Sequence, residues 1–143
     1  MSTYESNVAA KQIENFAAKL KTTDLGGRVR IVHGSLPTSS SLASGSIFEL
    51  VKLPKGSRLL PQSQIHFEAG QNASLTVKIG DADDDDRYFA AAAPGTSATS
   101  INLTGNRLND FVTAGESMVI LTTGGASTTA NKAITFDLLY VID

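Results

Sequence analysis

From residue 28 onward, hydrophobic and polar residues alternate with a period of two rather than the 3.6 of a helix. The clearest case is Leu75 to Ile79. Leu75, Val77 and Ile79 share one face there, and Thr76 and Lys78 the other. Arg28 to His33 repeats the pattern with Val29 and Ile31 on one side, and Ser46 to Leu53 (SIFELVKL) reads as a strand. Pro54-Lys55-Gly56-Ser57 has turn chemistry, with proline pre-setting φ at the second position. Arg58 to Phe67 follows as a strand interrupted at Pro61, which cannot donate to a ladder and so marks an edge or a bend. Tyr88 to Ala92, Ile101 to Leu103 and Ser117 to Thr122 are shorter strands. Thr123 to Asn131 reads as a hairpin loop, and Phe111 and Val112 as core plugs in an otherwise mixed stretch. Ala133 to Ile142 is the strongest strand. Ile134, Phe136, Leu138, Tyr140 and Ile142 share one face, while Leu139 and Val141 make the other apolar too, so cover is expected on both sides.

About eight strands with turn signals at short intervals predict an all-β sandwich or barrel, for which an eight-strand antiparallel jelly roll is the natural count. No internal repeat points to a propeller or solenoid. Residues 5–22 are the one helix candidate. Val8, Ile13, Phe16, Ala17 and Leu20 fall loosely on one face, and Ser6 or Asn7 is placed to cap the start. A helix this short is marginal alone, so an N-terminal arm that orders on a partner is an equal reading. The Asp24-Leu25-Gly26-Gly27 break then divides residues 1–25, an arm or helix, from a β-sandwich domain at 26–143.

At 143 residues the chain has the size of one domain, and 15 Ser with 14 Thr favour strands and turns. The net charge is -2 without a clustered basic patch, which argues against nucleic acid as a partner. No apolar run approaches the ~20 residues of a membrane span, and the N-terminus lacks the pattern of a secretory signal. Synthesis in a reducing cytoplasm fits the absence of cysteine, which also removes thiolate metal sites and cysteine nucleophiles.

The acidic run Asp81-Ala82-Asp83-Asp84-Asp85-Asp86 invites a calcium reading, with Asp81, Asp83 and Asp85 as candidate ligands. Counted from Asp81, however, position six is Asp86 and position twelve Ala92, where an EF-hand needs Gly and Glu. The favoured reading is a solvent-facing turn partly neutralised by Arg87. His33 and His66 lie 33 residues apart with no ligand spacing and read as ordinary strand residues. No G-x-S-x-G elbow or phosphate-cradling loop occurs, and without tryptophan a glycosidase pair among Glu49, Glu68 and Glu116 lacks a sugar platform. No catalytic residue and no cofactor is expected. A protein that works by binding fits better than an enzyme.

Several segments carry a more specific resemblance: Leu53-Pro54-Lys55-Gly56, Leu75 to Asp81 (LTVKIGD), Asp86 to Ala92 (DRYFAAA) and Ile134 to Tyr140 (ITFDLLY). In this order they resemble small virion proteins of tailed bacteriophages, over about residues 26–143. Within that group the chain looks like the capsid decoration or cement proteins, such as the jelly-roll cement protein of a short-tailed Bordetella phage. The resemblance implies a subunit on the capsid exterior that bridges major capsid protein subunits, self-associates as a homodimer or homotrimer and has no catalytic residues. The alternative is a carbohydrate- or receptor-binding β-sandwich of a phage fibre or other virion appendage. The loops at 37–45, 94–100 and 123–131 contain no aromatic residue to serve it.

Overall fold

A computed structural model describes residues 28–103 and 111–142. The candidate helix at 5–22, and with it the 1–25 arm, lies outside the described residues. Nine strands form two antiparallel sheets, with no helix among the described residues. They are β1 (Arg30–Ser35), β2 (Ile47–Leu53), β3 (Ser57–Leu59), β4 (Gln64–Phe67), β5 (Thr76–Gly80), β6 (Phe89–Ala92), β7 (Thr99–Asn102), β8 (Ser117–Gly124) and β9 (Ile134–Ile142).

One sheet runs β1-β9-β4-β7, with β3 also on β9, and the other runs β2-β8-β5-β6. If β3 and β4 are taken as one bent ribbon, the first strand pairs with the last, the second with the next to last, and so on inward. This is a long hairpin rolled into two sheets, the jelly roll. The ninth strand comes from the interruption at Pro61. β3 pairs with Tyr140 to Ile142, and β4 pairs with Ile134 to Asp137 on the same edge of β9. Between them Ser63 repairs the ladder. Its Oγ accepts from the Leu139 N–H at 2.8 Å and donates to the Leu139 carbonyl at 3.2 Å. The Leu139 carbonyl also accepts from the Leu60 N–H at 2.8 Å, so it is the Leu139 N–H that the bend at Pro61 would otherwise strand and the hydroxyl satisfies.

The inward faces of the two sheets make the core, where Leu53, Leu59, Ile65, Ile79, Leu121 and Leu138 have almost no exposed surface. Each contributes about 1.5–3 kcal/mol by leaving water. Phe111 packs against this core as its sequence suggests. In β9, Ile134, Phe136 and Leu138 are buried, and so is Val141 on the opposite face, so cover on both sides holds at that end. β1 begins and ends two residues later than the alternation suggests, and β8 runs through Gly124, which shortens the expected loop.

Candidate functional site

β5 and β6 form a hairpin around the acidic loop, and the loop is built around one aspartate. Asp81 is 5% exposed, which corrects the expectation that the whole loop faces solvent. Its Oδ1 accepts from the backbone N–H groups of Asp83 and Asp84, both at 3.0 Å, and Arg87 Nε donates to its Oδ2 at 2.6 Å. An aspartate that bonds the backbone two and three residues ahead folds the chain into an Asx-type turn. Arg87 in turn lies 4.0 Å over the Phe111 ring. The Asp81 oxygens are therefore engaged within the loop. The structure brings together Asp84, Asp85 and Asp86 instead of Asp81, Asp83 and Asp85. All three are exposed, and Lys78 pairs with Asp85 at 2.5 Å. Asp86 titrates above the ordinary carboxylate range, held up first by its hydrogen bond to Asp84 and then by desolvation and the neighbouring acids. Like charges crowded on a turn disfavour the ionised form in this way.

Beneath the loop Tyr88 is fully buried, edge-on to Phe111 with ring centroids 6.1 Å apart. Its hydroxyl has no hydrogen-bond partner among the described residues. Burial, and next the Asp81 charge, push its pKa up to about 12. The folded value exceeds the unfolded value of about 10, so any stability linked to this proton is intact below pH 10 and falls as pH rises toward 12. Tyr88→Phe is expected to remove that alkaline loss, on the order of 2–3 kcal/mol by pH 12. It should leave neutral stability unchanged or raised, since it deletes an unpaired buried hydroxyl. Urea titrations of both proteins at pH 7 and pH 11 check this; equal alkaline losses would contradict it.

The outer face of the first sheet carries a feature that local spacing does not reveal. His33 on β1 and Asp137 on β9 stand directly opposite each other, and their side chains meet with Nδ1 2.5 Å from Oδ1. His66 on β4 reaches the other Asp137 oxygen from Nε2 at 2.9 Å, and its Nδ1 lies 2.7 Å from Ser100 Oγ on β7. A carboxylate only accepts, so both imidazoles donate to it, and the His66 tautomer sets the direction of its bond with Ser100. Gln64 Nε2 donates to Asn102 Oδ1 at 2.7 Å beside this row. The result is a polar ladder across β7, β4, β9 and β1. The hydrogen bonds from His33, then His66, hold the Asp137 carboxyl below its ordinary range. That contribution is present above the ordinary carboxylate value and lost as pH falls through the depressed one.

Ser100, His66 and Asp137 lie in line, yet they do not reproduce a hydrolytic triad. The serine sits on a regular strand, not a strained elbow, and the imidazole meets it through Nδ1, with the acid on Nε2. The ladder's chemistry is cross-strand stapling. Only the jelly-roll pairing of first with last strand could have announced it from sequence, because His33 and Asp137 are 104 residues apart.

Large apolar side chains are exposed at one side of the sandwich: Val29, Ile31 and Ile47 at 53%, 65% and 62%. Val29 precedes β1, Ile31 lies on it, and Ile47 opens β2, so all three mark the edge where the two sheets begin. A shallow open cleft lined by Ser35, Leu36, Pro37, Ile47, Phe48 and Glu49 lies between them.

No protein-family model matches the sequence, and no curated protein matches it. Solved structures do. A chain of the capsid of Ralstonia phage GP4 aligns with a TM-score of 0.68 at 18% identity, over 82% of this chain and 86% of that one. A chain of the cyanophage Pam1 capsid asymmetric unit aligns with a TM-score of 0.61 at 19% identity, over the full length of both. At such identities the likeness is one of fold, and the fold this chain shares with those capsid chains is an all-β jelly-roll sandwich.

Proposed function

We propose that this chain is a structural protein of a phage virion that binds the outer surface of an icosahedral capsid and cements neighbouring major capsid protein subunits. The observation that carries this reading is whole-chain likeness to a chain of a phage capsid, with 100% of each covered. A likeness confined to one domain of a larger protein would support it far less. The motifs at Leu53–Gly56, Leu75–Asp81, Asp86–Ala92 and Ile134–Tyr140 support the same role. A subunit that binds the assembled shell and not its separated parts stabilises the shell by mass action. Contacts to several capsomers at once, or self-association as a dimer or trimer, add avidity. A stapled outer face over a filled core suits a rigid bridge, and residues 1–25 are the arm of this design.

Purified protein mixed with undecorated shells is expected to bind in a fixed number of copies per shell and to raise the temperature at which shells open. Removal of residues 1–25 is expected to lower occupancy. Full occupancy without them would dismiss the arm, and absence of binding by the full chain would dismiss the cementing role.

A further inference from the structure

A two-sheet sandwich has open edges, and natural proteins blunt them with short strands, bulges or charge to prevent stray pairing. Here β3, β6 and β7 have four residues or fewer, and β2 changes register between Glu49 and Val51. β1 differs. It pairs with β9 over six residues without a break, and among the described residues no strand lies on its other side. Leu36 N–H donates to the Ile134 carbonyl at 2.8 Å, in the register that sets Arg30 opposite Tyr140. The even-numbered residues therefore bond to β9. By the alternation of antiparallel ladders, Ile31, His33 and Ser35 turn their N–H and C=O groups to the free edge.

The side chains along this edge form a second pattern. Val29 and Ile31 are more than half exposed, and they alternate with Arg28 and Arg30, both exposed and in no ion pair among the described residues. β1 carries no carboxylate of its own. Its free edge thus offers backbone partners to a strand, an apolar stripe on one face and two cations on the other.

We propose that the free edge of β1 receives an extended segment of a partner chain by strand addition, with apolar residues beside Val29 and Ile31 and carboxylates at the intervening positions beside Arg28 and Arg30. Main-chain bonds to Ile31, His33 and Ser35 give such a complex its affinity, and the alternating side chains give it specificity. Under the virion reading, on which the choice of partner rests, the segment belongs to the shell. The chain's own residues 1–25 suit the edge poorly, because their lysines and acids balance to no net charge.

The test pairs shell binding with a defined probe. Arg28→Glu with Arg30→Glu is expected to weaken binding to undecorated shells by about tenfold or more, and increasingly so at low salt. Ser35→Pro removes an edge-facing donor while sparing the bonds to β9, and is expected to weaken binding similarly; Lys132→Glu is not. A short synthetic peptide of alternating valine and glutamate is expected to shift the amide resonances of Ile31, His33 and Ser35. If the peptide shifts them while the full chain binds no shell, the virion reading fails and the edge inference stands. If shells bind wild type and both edge variants alike, or the peptide leaves those amides unmoved, the edge inference is overturned. It is overturned equally if wild type is a dimer that Ile31→Lys converts to a folded monomer, since a second copy then holds the edge.

Discussion

Asp81→Ala is expected to cost about 3 kcal/mol of stability, with the domain melting about 10 °C lower. The carboxylate is almost wholly buried, and its four hydrogen bonds leave little for water to replace. Without it the amides of Asp83 and Asp84 lose their acceptor. The Arg87 guanidinium, with a side chain only 23% exposed, keeps a desolvated charge without its anion. Removing one partner of a buried pair is costly for that reason, even where the intact pair adds little net stability. Arg87 also lies over Phe111, which meets Tyr88 edge-on, so the damage extends from the loop into the core. Asp81→Asn separates the two parts of the effect. It keeps an oxygen for the amides and loses the charge, and is expected to cost about half as much. Asp83→Ala, at an exposed position, is expected to change stability by less than about 0.5 kcal/mol. Urea unfolding of the three variants checks the order; equal effects at Asp81 and Asp83 would mean that the loop is only a solvated turn.

That contrast shows where sequence was informative and where it was not. Alternation is local, and it placed most strands within two residues and foresaw the break at Pro61. The pairing of Arg87 with the loop was legible because the two are neighbours in sequence. The burial of Asp81 was not, because a run of acids reads as uniformly polar when composition is all there is. What singles out Asp81 is its position directly after Gly80, where the chain turns back over the strand end. The histidines were illegible for a different reason. His33, His66, Ser100 and Asp137 lie on four strands, and their meeting depends on register across the rolled hairpin. Register is set by which residues face the core, here Val32 and Gly34 against Leu138 and Phe136. The free edge of β1 was likewise invisible until the strand order was known, since an edge is a property of the sheet.

Gly80→Ala is expected to be at least as damaging as Asp81→Ala, at about 3 kcal/mol, although it adds one methyl group. A Cβ at Gly80 would lie 2.1 Å from the Asp84 carbonyl oxygen and 2.4 Å from the Asp85 carbonyl carbon. These are backbone atoms of the loop, so no side-chain rotation relieves the clash. The loop must lift from the strand end, and lifting breaks the bond from the Asp81 N–H to the Asp84 carbonyl and draws the Asp81 carboxylate away from the amides it holds. The two substitutions therefore act on one structure, and the double variant is expected to lose much less than the sum of the singles. Gly115 provides the opposite case. A Cβ there meets nothing within 4 Å, and its φ is not positive. Gly115→Ala is then expected to leave stability unchanged or raise it by about 0.4–1 kcal/mol, because alanine restricts the unfolded chain. Denaturant titrations of the two glycine variants and the Gly80→Ala, Asp81→Ala pair check both claims. Additive losses in the double variant would mean that glycine and aspartate serve separate structures, and a benign Gly80→Ala would mean that the loop does not rest on the strand end.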